Sequence, residues 1–152
     1  MTPQRERVLR TGLAALAAAA AALLVVAGYH PCEGIGPLLV LMPASGVITA
    51  LGGAPSFRAR NMLAPGATAV AVIAFAIGLD YSNSGMVLDG IDQCEPVPGF
   101  AGFLLAAFIS GIIAGLGVSI ALSLAWLGHG VIRLQSRPSP ASEPSDAGAN
   151  HA

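Results

Sequence analysis

The chain has 152 residues, of which 55% are hydrophobic and only 10% are charged, against about 25% charged in a typical globular protein. This composition, with a mean hydropathy of +0.74, excludes an ordinary soluble domain and indicates a protein whose solvent is lipid. The formal net charge of −1 offers no basic surface for nucleic acid, and two cysteines are too few for a four-thiolate zinc site.

Four apolar stretches predict four transmembrane helices, at about 11–29, 36–53, 63–79 and 100–127. A bilayer core of about 30 Å needs about 20 helical residues, so the second and third stretches are short and the long fourth is expected to tilt or project. The stretches contain no charged residue and show no apolar–polar alternation, which excludes transmembrane strands. We therefore predict an all-helical membrane protein, a four-helix transmembrane bundle over 1–135 with a disordered Pro/Ser/Ala-rich tail over 136–152.

The arginines predict how the chain is threaded. With four spans, every arginine lies on one side of the membrane, at Arg5, Arg7, Arg10, Arg58, Arg60, Arg133 and Arg137. The two opposite loops carry acidic residues and no arginine, so the positive-inside rule places both termini in the cytoplasm. Tyr29, Tyr81 and Trp126 fall at the predicted interfaces, as aromatic belts require. The Lys-free, Ala-rich composition is typical of a GC-rich bacterial genome, which suggests the bacterial inner membrane.

The start of the chain also fits a secretory signal, because arginines precede an apolar run over 13–27 and small residues follow it. Cleavage would make Tyr29 the first residue. We favour an uncleaved anchor, since the run is long enough to cross the bilayer and three further spans follow.

Three prolines bear on the helices. Pro37 and Pro65 are expected in first turns, where a missing N–H costs nothing. Pro43 is expected to kink the second span, with Ser45 or a neighbouring helix satisfying the freed carbonyl.

The two cysteines predict a structural disulfide, because Cys32 and Cys94 both fall on the outer side, where conditions are oxidising. Chain entropy gives about 4 kcal/mol as an upper bound on its stabilisation. A zinc or copper site formed by His30, Cys32 and Cys94 is a weaker alternative, and we predict no resident metal or cofactor. A thiol redox role is a third possibility, although the chain has no Cys-x-x-Cys pair.

The fourth span carries small residues at every fourth position, which favours close helix packing. They are Ala107, Gly111, Gly115, Ser119 and Ser123. Packing within the bundle is the favoured interpretation, and contact with a second copy or a membrane-protein partner is the alternative.

The hydroxyls within the spans are expected to bond their own helices rather than to line a pore. They are Ser45, Thr49, Thr68 and Ser110. His129 is expected to face lipid headgroups at the inner interface.

No ionisable residue lies within a predicted span, and the chain shows no catalytic motif, so we predict no catalytic residues and no enzyme activity. The leading hypothesis is an accessory, scaffold or partner-binding membrane component. A small oligomeric channel or transporter for an ion or neutral solute is the alternative, and an outer-face redox or metal-binding protein is the third.

Overall fold

The computed structural model describes residues 3–28, 35–54, 56–83 and 99–135, and this part of the chain is almost entirely helical. A 3₁₀ turn over Pro37–Val40 runs directly into the second of its four α-helices. These are α1 (Pro3–Gly28), α2 (Leu41–Gly53), α3 (Ala59–Asn83) and α4 (Gly99–Gln135). The all-helical prediction is confirmed. The predicted tail over 136–152 lies outside the described residues.

Helices that follow one another in the chain run in opposite directions, so α1 is parallel to α3 and α2 is parallel to α4. The first turns of α1 and α3 and the last residues of α2 line one shared cavity, so these three ends lie together. The C-terminal half of α4 shares a second cavity with α2 and the α2–α3 connection, which places the end of α4 at the same end of the bundle. We call this the arginine end, because Arg7, Arg10 and Arg60 line the first of these cavities.

Within the bundle, α2 and α3 each pack against all three of the other α-helices. The most extensive contact joins α3 to α4, and α1 packs mainly on α3 and α2. The α1 face in this contact is a row of alanines, Ala14, Ala18 and Ala22, of which the last two are fully buried. The first helix is therefore an integral part of the packed bundle.

The inside of the bundle combines small side chains with large ones such as Leu41 and Ile73, and many further large apolar side chains lie on the outside. Buried alanines and the hydroxyl residues Ser45, Thr49 and Ser110 make up much of the interior. Large exposed residues such as Leu24, Phe100 and Trp126 are 72–76% accessible. Helix packing through small residues and bonded hydroxyls is typical of proteins that fold in lipid, where large apolar side chains can face the solvent.

Three helices, α1, α3 and α4, are long and apolar enough to cross a membrane, and the helical segment Pro37–Gly53 is apolar but shorter. All three extend beyond the apolar stretches that predicted them. The largest extension is in α4, whose 37 residues rise by about 55 Å, well beyond a hydrocarbon core of about 30 Å.

The prolines are placed differently from the sequence prediction in two of three cases. Pro37 begins the 3₁₀ turn, as expected. Pro65 lies inside α3 rather than in its first turn, because the helix continues back through polar residues to Ala59. Pro43 falls in the first turn of α2, where its missing N–H needs no replacement. Ser45 accordingly donates to carbonyls other than one freed by Pro43.

Candidate functional site

Helices α2 and α4 cross with their backbones in close contact. A Cβ built on Gly117 would overlap the main-chain carbonyl of Met42, and one on Gly46 would lie 3.1 Å from the carbonyl oxygen of Gly117. Gly117 therefore requires glycine, since the atoms it meets include backbone that cannot rotate away, and Gly46 leaves little room for a larger residue. Main-chain contact of this kind is how small residues stabilise membrane helices.

Hydroxyl groups reinforce this crossing from the α2 side. Ser45 Oγ donates a buried hydrogen bond of 2.7 Å to the carbonyl of Ala114 on α4, and also lies 3.0 Å from the carbonyl of Met42. Thr49 Oγ1 donates to the carbonyl of Ser45 at 2.7 Å. The side chain of Thr49 also meets Gly66, where a Cβ would lie 3.1 Å from Thr49 Cγ2, so α3 joins the contact.

Beyond the crossing, toward the arginine end, a groove opens between α2 and α4. The cavity measures about 750 Å³, and its wall is overwhelmingly apolar. Two rows of small residues at four-residue spacing line it: Gly46 and Ala50 on α2, and Gly117, Ala121 and Ala125 on α4. This spacing is the pattern that allows a further helix to approach closely. We call this cavity the α2–α4 groove.

The mouth of the groove is formed by the connection between α2 and α3. Phe57 has a φ of 42°, a left-handed conformation that residues other than glycine seldom adopt. The turn is held by Asn61, whose Nδ2 donates to Ser56 Oγ at 2.6 Å, and by the amides of Asn61 and Met62, which donate to the carbonyl of Arg58. Phe57, whose backbone is strained, and its neighbour Ser56 both line the groove, so the turn places an aromatic ring at the groove's entrance.

The groove wall includes one polar side chain of α4. His129 lines the cavity, and its Nε2 atom is shielded from solvent without a hydrogen-bond partner in the described chain. An unpaired buried polar atom costs about 1–3 kcal/mol, so a ligand that offers this nitrogen a hydrogen bond gains that energy. The structure places the His129 ring in the groove wall, and its location at the level of the lipid headgroups stays a prediction.

The small residues predicted as the packing face of α4 divide into two groups. Ala107 and Gly111 face α3: a Cβ on Gly78 would lie 3.0 Å from Ala107 Cβ, and one on Gly111 would lie 3.5 Å from Ala74 Cβ. A Cβ on Gly115 would meet nothing within 4 Å, and Ser119 and Ser123 are exposed. Positions 115 and 117 differ by about 200° around a helix, so the face formed by Gly115, Ser119 and Ser123 lies opposite the groove.

The span hydroxyls are engaged by backbone. Ser110 is fully buried and donates to the carbonyl of Ala106 at 2.7 Å, and Thr68 donates to Ala64 at 2.8 Å. With the bonds of Ser45 and Thr49, these contacts favour packing over a pore-lining role.

The predicted disulfide and metal ligands, His30, Cys32 and Cys94, lie outside the described residues. Within the described ranges, no group of three or more His, Cys, Asp or Glu side chains is placed to hold a metal ion.

Comparison of the chain with protein-family models, with curated proteins and with solved structures finds no match. The geometry of the α2–α4 groove is therefore the basis for a functional assignment. Sequence reasoning missed this site, although the four-residue spacing of Gly117, Ala121 and Ala125 is visible in the chain.

Proposed function

We propose that the protein is a non-enzymatic integral membrane component, an accessory subunit or scaffold, whose α2–α4 groove receives a transmembrane helix of a partner protein. The observation that carries this proposal is the apolar cavity of about 750 Å³, in which a row of small residues on each helix lies among larger apolar side chains. Within the bundle, the same kind of residue lies where helices touch. Beyond the contact of Gly46 with Gly117, the small residues Ala50, Ala121 and Ala125 are only partly covered by the described chain, so this part of the groove offers a packing surface to a helix from outside.

The chemistry of the wall supports a helix rather than a polar ligand. Ala121 and Ala125 leave room on α4 for a backbone to approach, and dispersion and weak hydrogen bonds stabilise such contacts in lipid. His129 Nε2 adds one polar point, which a serine or threonine hydroxyl on the incoming helix can satisfy. This single hydrogen bond would fix the position of the partner helix along the groove.

The proposed setting is the bacterial inner membrane, crossed four times with both termini in the cytoplasm. The antiparallel order of the helices supports this topology, because it gathers Arg7, Arg10 and Arg60 at one end of the bundle. The shorter segment Pro37–Gly53 would complete the fourth crossing.

Photocrosslinking in native membranes tests the proposal. A photoreactive residue replaces Ala121 in the groove or, as the matched control, Ser123 on the opposite face of α4. We expect position 121 to yield one defined product of constant mass and position 123 to yield none. In the same cells, Ala121→Phe should abolish co-purification of the captured partner, while Ser123→Phe should leave it unchanged.

The control position also tests the predicted small-residue stripe. A product at position 123 but not at 121 would make the Gly115–Ser119–Ser123 face the partner surface and would refute a helix in the groove. A product of twice the chain mass at position 121 identifies a second copy as the partner. The absence of a defined product at both positions would contradict the proposed function.

A further inference from the structure

A second cavity lies at the arginine end, between the first turns of α1 and α3 and the end of α2. It measures about 340 Å³ and is lined by Arg7, Arg10 and Arg60 against the single carboxylate of Glu6. Asn61 adds an amide to the wall. The recess is therefore concave and carries a net positive charge, which favours an anionic ligand with several oxygen acceptors.

Arg10 remains able to bind such a ligand although it is paired with Glu6. Its Nε and Nη2 donate to Glu6 Oε1 at 3.1 and 2.8 Å, so two of the five guanidinium N–H groups have this carboxylate as their acceptor. The pair holds the half-buried Arg10 side chain in place. Arg7 and Arg60 are exposed and complete the basic wall.

An apolar groove continues from this recess along α1 and α2. It measures about 670 Å³ and shares Glu6, Arg10 and Gly52 with the recess. Leu13 and Ala17 of α1 line it farther along. Between Arg10 and Ala17 the helix rises by about 10 Å, which is enough to accommodate the first half of an acyl chain.

We propose that the recess and this groove together bind one anionic phospholipid. Its phosphate lies among Arg7, Arg10 and Arg60, and one acyl chain follows the groove past Leu13 to Ala17. The adjacency of a basic recess and an apolar channel distinguishes this ligand from a free anion, which would leave the channel empty. Basic pockets between transmembrane helices are suited to anionic headgroups. The recess shares Ser56 with the α2–α4 groove, but its three arginines and the groove along α1 do not line that cavity, so the site does not depend on the proposed function.

Native mass spectrometry of the full chain in detergent tests the headgroup. Phosphatidylglycerol and phosphatidylcholine with identical acyl chains are titrated separately, and we expect the anionic lipid to bind more tightly. Each arginine should contribute about fivefold to this preference, the attraction of one basic side chain to an anionic lipid surface. Arg7→Gln/Arg60→Gln should therefore reduce it about 25-fold.

Arg5→Gln/Arg58→Gln is the matched control, because it removes the same charge from α1 and the α2–α3 connection at residues that do not line the recess. This pair should leave the lipid preference within about twofold of the original, the difference expected for screened charges outside the site. Equal losses in both double variants would refute a specific headgroup site.

A second pair of variants tests the acyl groove. Ala17→Trp fills the groove, while Ala20→Trp adds the same side chain at an exposed position of α1 outside it. We expect only Ala17→Trp to weaken phosphatidylglycerol binding, by several-fold. If Ala17→Trp and Ala20→Trp bind phosphatidylglycerol equally well, the assignment of this groove to an acyl chain is overturned. Displacement of the lipid by millimolar inorganic phosphate would show a site for a free anion and would likewise overturn the proposal.

Discussion

Replacing Gly117 by alanine should separate α2 from α4. The added methyl group would overlap both the main-chain carbonyl of Met42 and the hydroxyl oxygen of Ser45, so the helices must move apart to admit it. That movement also stretches the 2.7 Å hydrogen bond from Ser45 Oγ to the carbonyl of Ala114. Gly115→Ala is the matched control, because a Cβ there meets nothing within 4 Å.

The free energy of unfolding should fall by about 2–4 kcal/mol in Gly117→Ala. Overpacking a close contact costs about 1–3 kcal/mol, and the obstacle here is backbone, which places the cost in the upper part of that range. Weakening a hydrogen bond between membrane helices adds about 0.6–1.7 kcal/mol. The higher helix propensity of alanine offsets up to about 1 kcal/mol of this loss in the free energy of unfolding. Gly115→Ala receives only this last contribution and should be unchanged or slightly more stable.

The assay is the loss of helical circular dichroism as SDS is added to the protein in mild detergent, with each variant measured at several protein concentrations. Concentration-independent midpoints show that the unfolding of a single chain is being followed. Equal midpoints for Gly117→Ala and Gly115→Ala would refute the crossing as the structure has it. A large loss in Gly115→Ala alone would restore the glycine pair 111 and 115 as the principal packing contact.

Two further predictions concern His129 and the cysteines. His129→Phe removes an unpaired buried nitrogen, so the thermal midpoint of the isolated protein should rise while photocrosslinking from position 121 falls; a lower midpoint would show that the imidazole already has a stabilising partner. Cys32 and Cys94 should react with an impermeant maleimide on intact cells only after reduction, because an external disulfide consumes both thiols. Labelling without reduction would refute the disulfide, and no labelling after reduction would contradict their external location.

The four helices could be predicted from the sequence because long uncharged apolar runs have few alternatives to helix. Their ends could not be predicted from hydropathy, because polar residues can extend a helix as long as their backbone bonds are made. In this way α3 starts at Ala59 and takes Arg60 and Asn61 into its first turn, which puts Pro65 in the helix interior. The same effect extends α1 back to Pro3.

The contact face of α4 was harder to predict, because the helix carries two rows of small residues on opposite sides. The row containing Gly111 and Gly115 holds a literal GxxxG, and the row from Gly117 to Ala125 does not. Spacing alone does not show which row meets a neighbour. That choice depends on where α2 crosses, and the crossing requires Gly46 to face Gly117.

The α2–α4 groove is itself a consequence of unequal helix lengths. From the crossing toward the arginine end, α2 continues from Gly46 to Gly53, a rise of about 10 Å, whereas α4 continues from Gly117 to Gln135, about 27 Å. Ser56 and Phe57 of the α2–α3 connection line the groove, and Ala121 and Ala125 of α4 stay partly exposed beyond the buried Gly117. A flexible lipid chain loses conformational entropy when it is held in this groove. A rigid partner helix has already lost that entropy, which favours it over lipid as the occupant of the groove.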